Sequence, residues 1–236
     1  MSEQLIKSRQ RVKDHAEVFT PLAVVNEMLD MVADTFPSGE HPERIDARFL
    51  EPACGNGNFL VEILRRKLAY IGGERFAAMP DPETRRLAWE HLTLVAVASI
   101  YGVDIQEDNV REARENMAAV IVEHFHERAP MPRCTNAFAP AVTAILTGNI
   151  ICADALHDTI DFTFYDSDFD NECRSLPGFF QRTIVRHDIV RRDGKPLTGR
   201  EKDDELTVAQ SVFKKDWTFV HYSGLESPVL SLEDLA

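Results

Sequence analysis

Three acids, each at the end of a short apolar run, carry the chemistry most legible in this sequence: Glu51 after "RFL", Asp104 after "IYGV" and Asp154 after "NIICA". Glu51 opens the stretch "EPACGNGNF", where Gly55 and Gly57 allow a tight turn and a close approach of backbone to a bound group. A helix starting near Asn58 would point its free N–H groups at a carboxylate or phosphate held there. A carboxylate at Asp104 can accept both hydroxyls of a ribose, and one at Asp154 can accept an adenine amino group. The three acids converge only if their strands lie side by side and parallel, because ligands of open parallel sheets sit beyond the carboxyl ends of the strands. A nicotinamide fingerprint is not met. Its third glycine position is Leu60, and Asp104 follows Gly57 by 47 positions, where about 20 is usual.

The elements that would position these acids follow from periodicity. "TPLAVVNEMLDMVADTF" has apolar residues at Val24, Val25, Met28, Leu29 and Val32, helical spacing, with Thr20 as N-cap and Pro21 in the first turn. "RFLEPA" and "IYGVDI" read as strands, and "NIICADAL" reads as a third strand and its exit turn. Between them lie helices from Asn58 to about Ile71, over "PDPETRRLAWEHLTLVAVAS", over "EDNVREARENMAAVIVEHFHERA" and over "NAFAPAVTAILTG" up to Gly148. Strands alternating with helices imply a parallel sheet with crossover helices. The expected fold is therefore α/β, a doubly wound and mainly parallel sheet over residues 17–156. An N-terminal arm (1–16) precedes it and a β-rich extension (157–236) follows. In the extension, "IDFTFYDSDF" and "FFQRTIVRHDIVRRDGKPLTG" read as short strands or hairpins, with "DGKP" as a turn.

The totals bound the function. No apolar run is long enough for a membrane span, and "MSEQLIKSRQRVKDH" has no apolar core of a secretion signal. The cysteines, Cys54, Cys134, Cys152 and Cys173, form no CxxC pair and read as reduced core thiols of a cytoplasmic protein; a zinc site is not expected. Net charge is −13, unlike a protein that grips DNA alone. The segment Arg174 to Lys215 is nevertheless +4, which leaves −17 on the rest. A nucleic-acid face would have to lie in that segment; a solvated hairpin of mixed charge accounts for the same residues.

Taken in order, "EVFTP" before a helix, "FLEPACGNGNFL", "YGVDIQEDNVREARENM" and "NIICADAL" resemble the cofactor motifs of bacterial N6-adenine DNA methyltransferases whose cofactor-binding half comes first in the chain. The resemblance covers residues 17 to about 156. It extends to short methylation subunits of restriction–modification systems. It implies a Rossmann-like fold and S-adenosyl-L-methionine as cofactor. By position, Phe19, Thr20 and Pro21 would lie against the methionine part, and Glu51, Ala53 and Gly55 would border its amino and carboxylate groups. Asp104 would hold the ribose and Ile105 would pack on adenine. Asp154 would bind the adenine amine, with Ala155 beside it.

The resemblance stops at catalysis. The exocyclic amine of adenine is a poor nucleophile, and its activation needs hydrogen-bond acceptors and a stacking ring around a flipped base. The resembled family supplies these through an (Asn/Asp/Ser)-Pro-Pro-(Tyr/Phe/Trp) tetrapeptide after the third strand. This sequence has no Pro-Pro; after "ADALHDTIDF" it runs "TFYDSDFDNEC". Three expectations follow: a methyltransferase subunit whose catalytic and DNA-reading parts come from a protein partner, with DNA bound only within that complex; an inactive cofactor-binding or assembly module; or a small methyltransferase acting on a substrate other than DNA.

Overall fold

The computed structural model describes residues 5–15, 17–72, 79, 81–129, 132–158, 160–166, 179–191 and 206–221. A short helix α1 (Arg9–His15) is followed by α2 (Leu22–Asp30) and two 3-10 turns, Ala33–Thr35 and Pro42–Asp46. The α/β unit follows as β1 (Phe49–Glu51), α3 (Asn58–Leu68), α4 (Pro82–Ala98), β2 (Ile100–Asp104), α5 (Glu107–Arg128), α6 (Phe138–Asn149) and β3 (Ile150–Cys152). Three strands, β4 (Ile160–Asp166), β5 (Phe179–Arg191) and β6 (Leu206–His221), then form an antiparallel sheet. Among the described residues no helix is long and apolar enough to cross a membrane.

The first sheet is small, parallel and ordered β1-β2-β3. Its register pairs Phe49 with Ile100 and Glu51 with Gly102, then Gly102 with Ile150 and Asp104 with Cys152. Alternation along β2 splits the packing. Ile100 joins Leu60, Leu64, Leu94, Val110, Met117 and Phe138 in the main core under the helices. Tyr101 and Val103 join Ile160 and Phe162 of β4 in a second, smaller cluster. Strand order runs in one direction, so the reversal that defines a doubly wound sheet is not found among the described residues. β1 is an edge strand there, with Leu50 40% exposed.

Several local expectations are corrected. α2 begins at Leu22 with Pro21 as its N-cap, so Thr20 lies one residue outside the helix. Val25 and Leu29 face the core, whereas Val24, Met28 and Val32 are exposed. β3 ends at Cys152, which puts Asp154 in the following turn and not at a strand end. Cys54 and Cys134 are buried thiols, but Cys152 is exposed. The "DGKP" turn, Cys173, the end of "TFYDSDFDNEC" and much of the basic segment lie outside the described residues.

One buried lysine fastens the base of the sheet. Lys67, on α3, is fully buried, and its Nζ donates to Ile45 O (2.8 Å), Ala47 O (2.6 Å) and Ser99 Oγ (2.7 Å). The first two carbonyls lie on the chain leading into β1, and Ser99 lies immediately before β2. The ammonium also sits 5.3 Å from the centre of the Phe49 ring, which stacks on Phe36. Burial pushes the amine down to about 7, with the charge of Asp46 opposing. Since the folded value lies below the ordinary 10.5, the unfolded chain holds the extra proton between those limits. Stability from this group therefore rises with pH from about 7 to 10.5 and is lost as pH falls back through that window. Lys67→Met should lower stability at pH 8 by on the order of 3 kcal/mol, since the neutral amine donates two buried hydrogen bonds that would be lost, and should flatten the pH-dependent rise. Urea unfolding of both proteins across that pH range checks it; equal slopes would refute the assignment.

Candidate functional site

The glycine-rich loop between β1 and α3 folds back onto β2. Cys54 N–H donates to Val103 O (2.8 Å), and Gly55 N–H donates to Asp104 Oδ2 (2.9 Å). Gly55 and Gly57 have φ of +54° and +93°, which favour glycine. Both positions are also crowded. A Cβ on Gly55 would lie 3.0 Å from the Phe19 ring, and one on Gly57 would lie 2.9 Å from Ala113 Cβ on α5. A third close approach is at Gly102 of β2, where a Cβ would meet Leu60 at 2.7 Å and Cys54 Sγ at 3.2 Å. The loop is thus seated by missing side chains on both sides of the contact.

Asparagines hold the remaining edges. Asn58 Nδ2 donates to Thr20 O (2.9 Å), linking the start of α3 to the segment before α2, and Asn116 Nδ2 donates to Asn56 O (3.0 Å). The N-cap of α3 is Gly57, which has no side chain to accept the first-turn N–H groups. Those donors suit a carboxylate ligand.

Beyond the carboxyl ends of β1, β2 and β3 lies a cleft of about 780 Å³, within the range of about 300–1,000 Å³ usual for small-molecule sites. It is lined by Phe19, Thr20, Glu51, Ala53, Gly55, Asp104, Ile105, Asp154 and Ala155, nine of the ten positions expected from sequence. Pro21 does not line it; its carbonyl accepts from Val25 N–H at the start of α2. Ile105 (57% exposed) presents an apolar surface into the cleft, as do Val18 (59%) and Leu156 (50%).

The acids differ in how much of their capacity is free. Asp104 accepts from Gly55 N–H through Oδ2, and from Gln106 N–H (2.8 Å) and Asn109 Nδ2 (3.1 Å) through Oδ1. A carboxylate has about four acceptor positions, so the remaining one is on Oδ2 unless a ligand displaces a neighbour. Glu51 accepts from Ala53 N–H (3.2 Å). Asp154 accepts from Leu156 N–H (2.9 Å), and its Oδ2 lies 2.7 Å from His157 Nδ1. The hydrogen bond with His157 holds its carboxyl below the usual range.

Glu17, Asn56 and Asn109 also line the cleft but were not expected from sequence. Each keeps one buried oxygen without a hydrogen-bond partner: Glu17 Oε1, Asn56 Oδ1 and Asn109 Oδ1. The available signals were weak: Glu17 is two residues before Phe19, and Asn109 is in the first turn of the helix after Asp104. Among the lining residues there are four carboxylates (Glu17, Glu51, Asp104 and Asp154) and no Lys, Arg or His.

No protein-family model, curated protein or solved structure matches this chain. The cleft's own chemistry therefore carries the functional reading.

The seating of the loop can be tested directly. Gly57→Ala combines a left-handed φ with a 2.9 Å contact to Ala113, and should destabilise the protein by about 1–3 kcal/mol. Thermal unfolding checks this, and an unchanged midpoint would show that the loop has slack at that point.

Proposed function

We infer that this chain binds S-adenosyl-L-methionine and serves as the cofactor-binding subunit of a DNA adenine-N6 methyltransferase of the restriction–modification type, a protein partner supplying catalysis and DNA recognition. On this reading residues 17–156 are one half of a Rossmann-like methyltransferase fold, and residues 157–236 are an extension that docks the partner or DNA held by it.

The observation that carries the reading is the charge and polarity of the cleft. Four carboxylates and no basic side chain disfavour a ligand bearing phosphates. S-adenosyl-L-methionine has a sulfonium, an ammonium and one carboxylate, and is net positive. The apolar Ile105, Val18 and Leu156 suit an adenine ring, and the uncapped start of α3 suits the ligand's carboxylate. Asp104 would hold the ribose, Glu51 would stand near the ammonium, and Asp154 would take the adenine amine. When bound, the cofactor supplies an electrophilic methyl group. This chain's residues bind and orient it, and its sequence holds no Pro-Pro-aromatic tetrapeptide to accept the hydrogens of an adenine amine and stack on the base.

Binding should be measurable by calorimetry on the purified chain, with S-adenosyl-L-methionine bound more tightly than NAD or ATP. Asp104→Ala should weaken it at least about tenfold, the scale of one charge-assisted hydrogen bond. Tighter binding of NAD would overturn the cofactor assignment. Transfer of labelled methyl to mixed-sequence DNA should be undetectable with the chain alone, because losing a preorganised hydrogen-bonding group costs roughly 10²–10³ in rate. Robust adenine methylation by the chain alone would refute the need for a partner.

A further inference from the structure

The polar network behind Asp104 runs into the N-terminal segment. Asn109 is 1% exposed, and its Nδ2 bridges two carboxylates, Asp104 Oδ1 (3.1 Å) and Glu17 Oε2 (3.0 Å). The Glu17 side chain is 8% exposed, and Arg11 donates to the same oxygen, Oε2, through Nε (2.9 Å) and Nη2 (2.5 Å). Arg11 Nη1 also reaches Asp108 Oδ2 (2.5 Å), in the first turn of α5, and Lys7 Nζ pairs with Asp108 (3.0 Å) and Glu112 (2.6 Å). Phe19 N–H donates to Leu5 O (2.8 Å), closing the segment into a loop. Residues 5–15 and 17–19 thus form a strap latched by ion pairs, and its inner end, Glu17 to Phe19, is a wall of the cleft.

The charges give the strap something to respond to. Glu17 and Asp104 share one amide donor, so two like charges are held close together and repel. Arg11 offsets that repulsion from the strap side. A cationic ligand on the cleft side offsets it from the other. Because a cation in the cleft is attracted to Glu17 only while the strap holds that carboxylate in the cleft wall, ligand binding favours the latched strap, and the coupling is reciprocal.

The geometry points to Glu17 as a positioning residue that couples closure of the N-terminal strap to occupation of the cleft. With Arg11 latched, Glu17 fixes Asn109 against Asp104; a ligand seated at Asp104 in turn holds the strap shut. This deepens the S-adenosyl-L-methionine reading and rests on it for the identity of the ligand.

The test uses the full chain with Arg11→Ala, Arg11→Lys, Glu17→Gln and Asn109→Ala, and reads two quantities: affinity for S-adenosyl-L-methionine by calorimetry, and amide hydrogen exchange across residues 5–15. In the native chain, saturating ligand should slow exchange of the strap by about tenfold. Arg11→Ala and Glu17→Gln should each weaken binding by about tenfold and abolish that protection, while Arg11→Lys restores part of both. A purely structural role would shift the thermal midpoint but leave the ligand-dependence of strap exchange intact, and that result would overturn the coupling. So would native affinity in Arg11→Ala. If the native chain binds no S-adenosyl-L-methionine, the functional reading fails by itself. The strap is then judged without ligand: Asn109→Ala, which cuts Glu17 from Asp104, should speed exchange over residues 5–15 on the order of threefold. Unchanged exchange would sink the proposal.

Discussion

The hydrogen bond from Gly55 N–H to Asp104 Oδ2 joins the glycine loop after β1 to the end of β2, and the cleft depends on it. β1 and β2 are paired only from Phe49 to Glu51. Beyond that point the chain must turn into α3, and the turn keeps its place by continuing to bond to β2, first through Cys54 and then through Gly55. An ionised acceptor makes the last of these bonds stronger than an ordinary backbone pair. The seat is possible because Gly102 has no side chain where Leu60 and Cys54 pack. Removing atoms from β2 is thus as much a part of the site as the acids that line it.

The charge of the molecule is organised around this point. Acidic side chains dominate outside the basic C-terminal segment, and no Lys, Arg or His is among the residues that line the cleft. The cations nearest to it, Arg11 and Lys7, are already bound to Asp108, Glu112 and Glu17 at the margin. That pairing holds the Asp108 carboxyl well below the usual carboxylate range, mainly through the hydrogen bond from Arg11. Of the four carboxylates that line the cleft, Glu17 pairs with Arg11 and Asp154 lies 2.7 Å from His157 Nδ1, while Glu51 and Asp104 accept from backbone N–H groups.

Most of the α/β elements were legible because each announces itself over several residues. β1 and β2 are short apolar runs ending in an acid, and α5 and α6 carry long apolar faces between clear boundaries. Nine of ten expected site positions share one cleft because strand-end acids and a glycine turn are tied to parallel topology by geometry. What was not legible depended on contacts remote in sequence. Glu17 and Asn109 meet across 92 positions through one amide, and nothing local distinguishes either from a surface residue. The helical pattern in "TPLAVVNEMLDMVADTF" correctly gave a helix, but α2 ends at Asp30, so Val32 lies beyond it, and within the helix Val24 and Met28 are exposed. Asp154 was expected to end the third strand of "NIICADAL", with the exit turn after it. Its carboxylate instead caps the turn that follows, bonding Leu156 N–H.

β1 has a further consequence, for how the molecule stays apart from its own copies. A strand on the rim of a sheet is a template for aggregation when it is long and flat, and proteins commonly guard it with charge, proline or a bulge. Here Phe49 N–H is directed to Ser99 O on the β2 side, and alternation turns the backbone groups of Leu50 outward. With three residues, a rise of roughly 10 Å, the rim offers a single outward donor and acceptor, too few to nucleate a ladder with another chain. Brevity protects the exposed Leu50 rim, and it leaves β1 free to end where the glycine turn must begin.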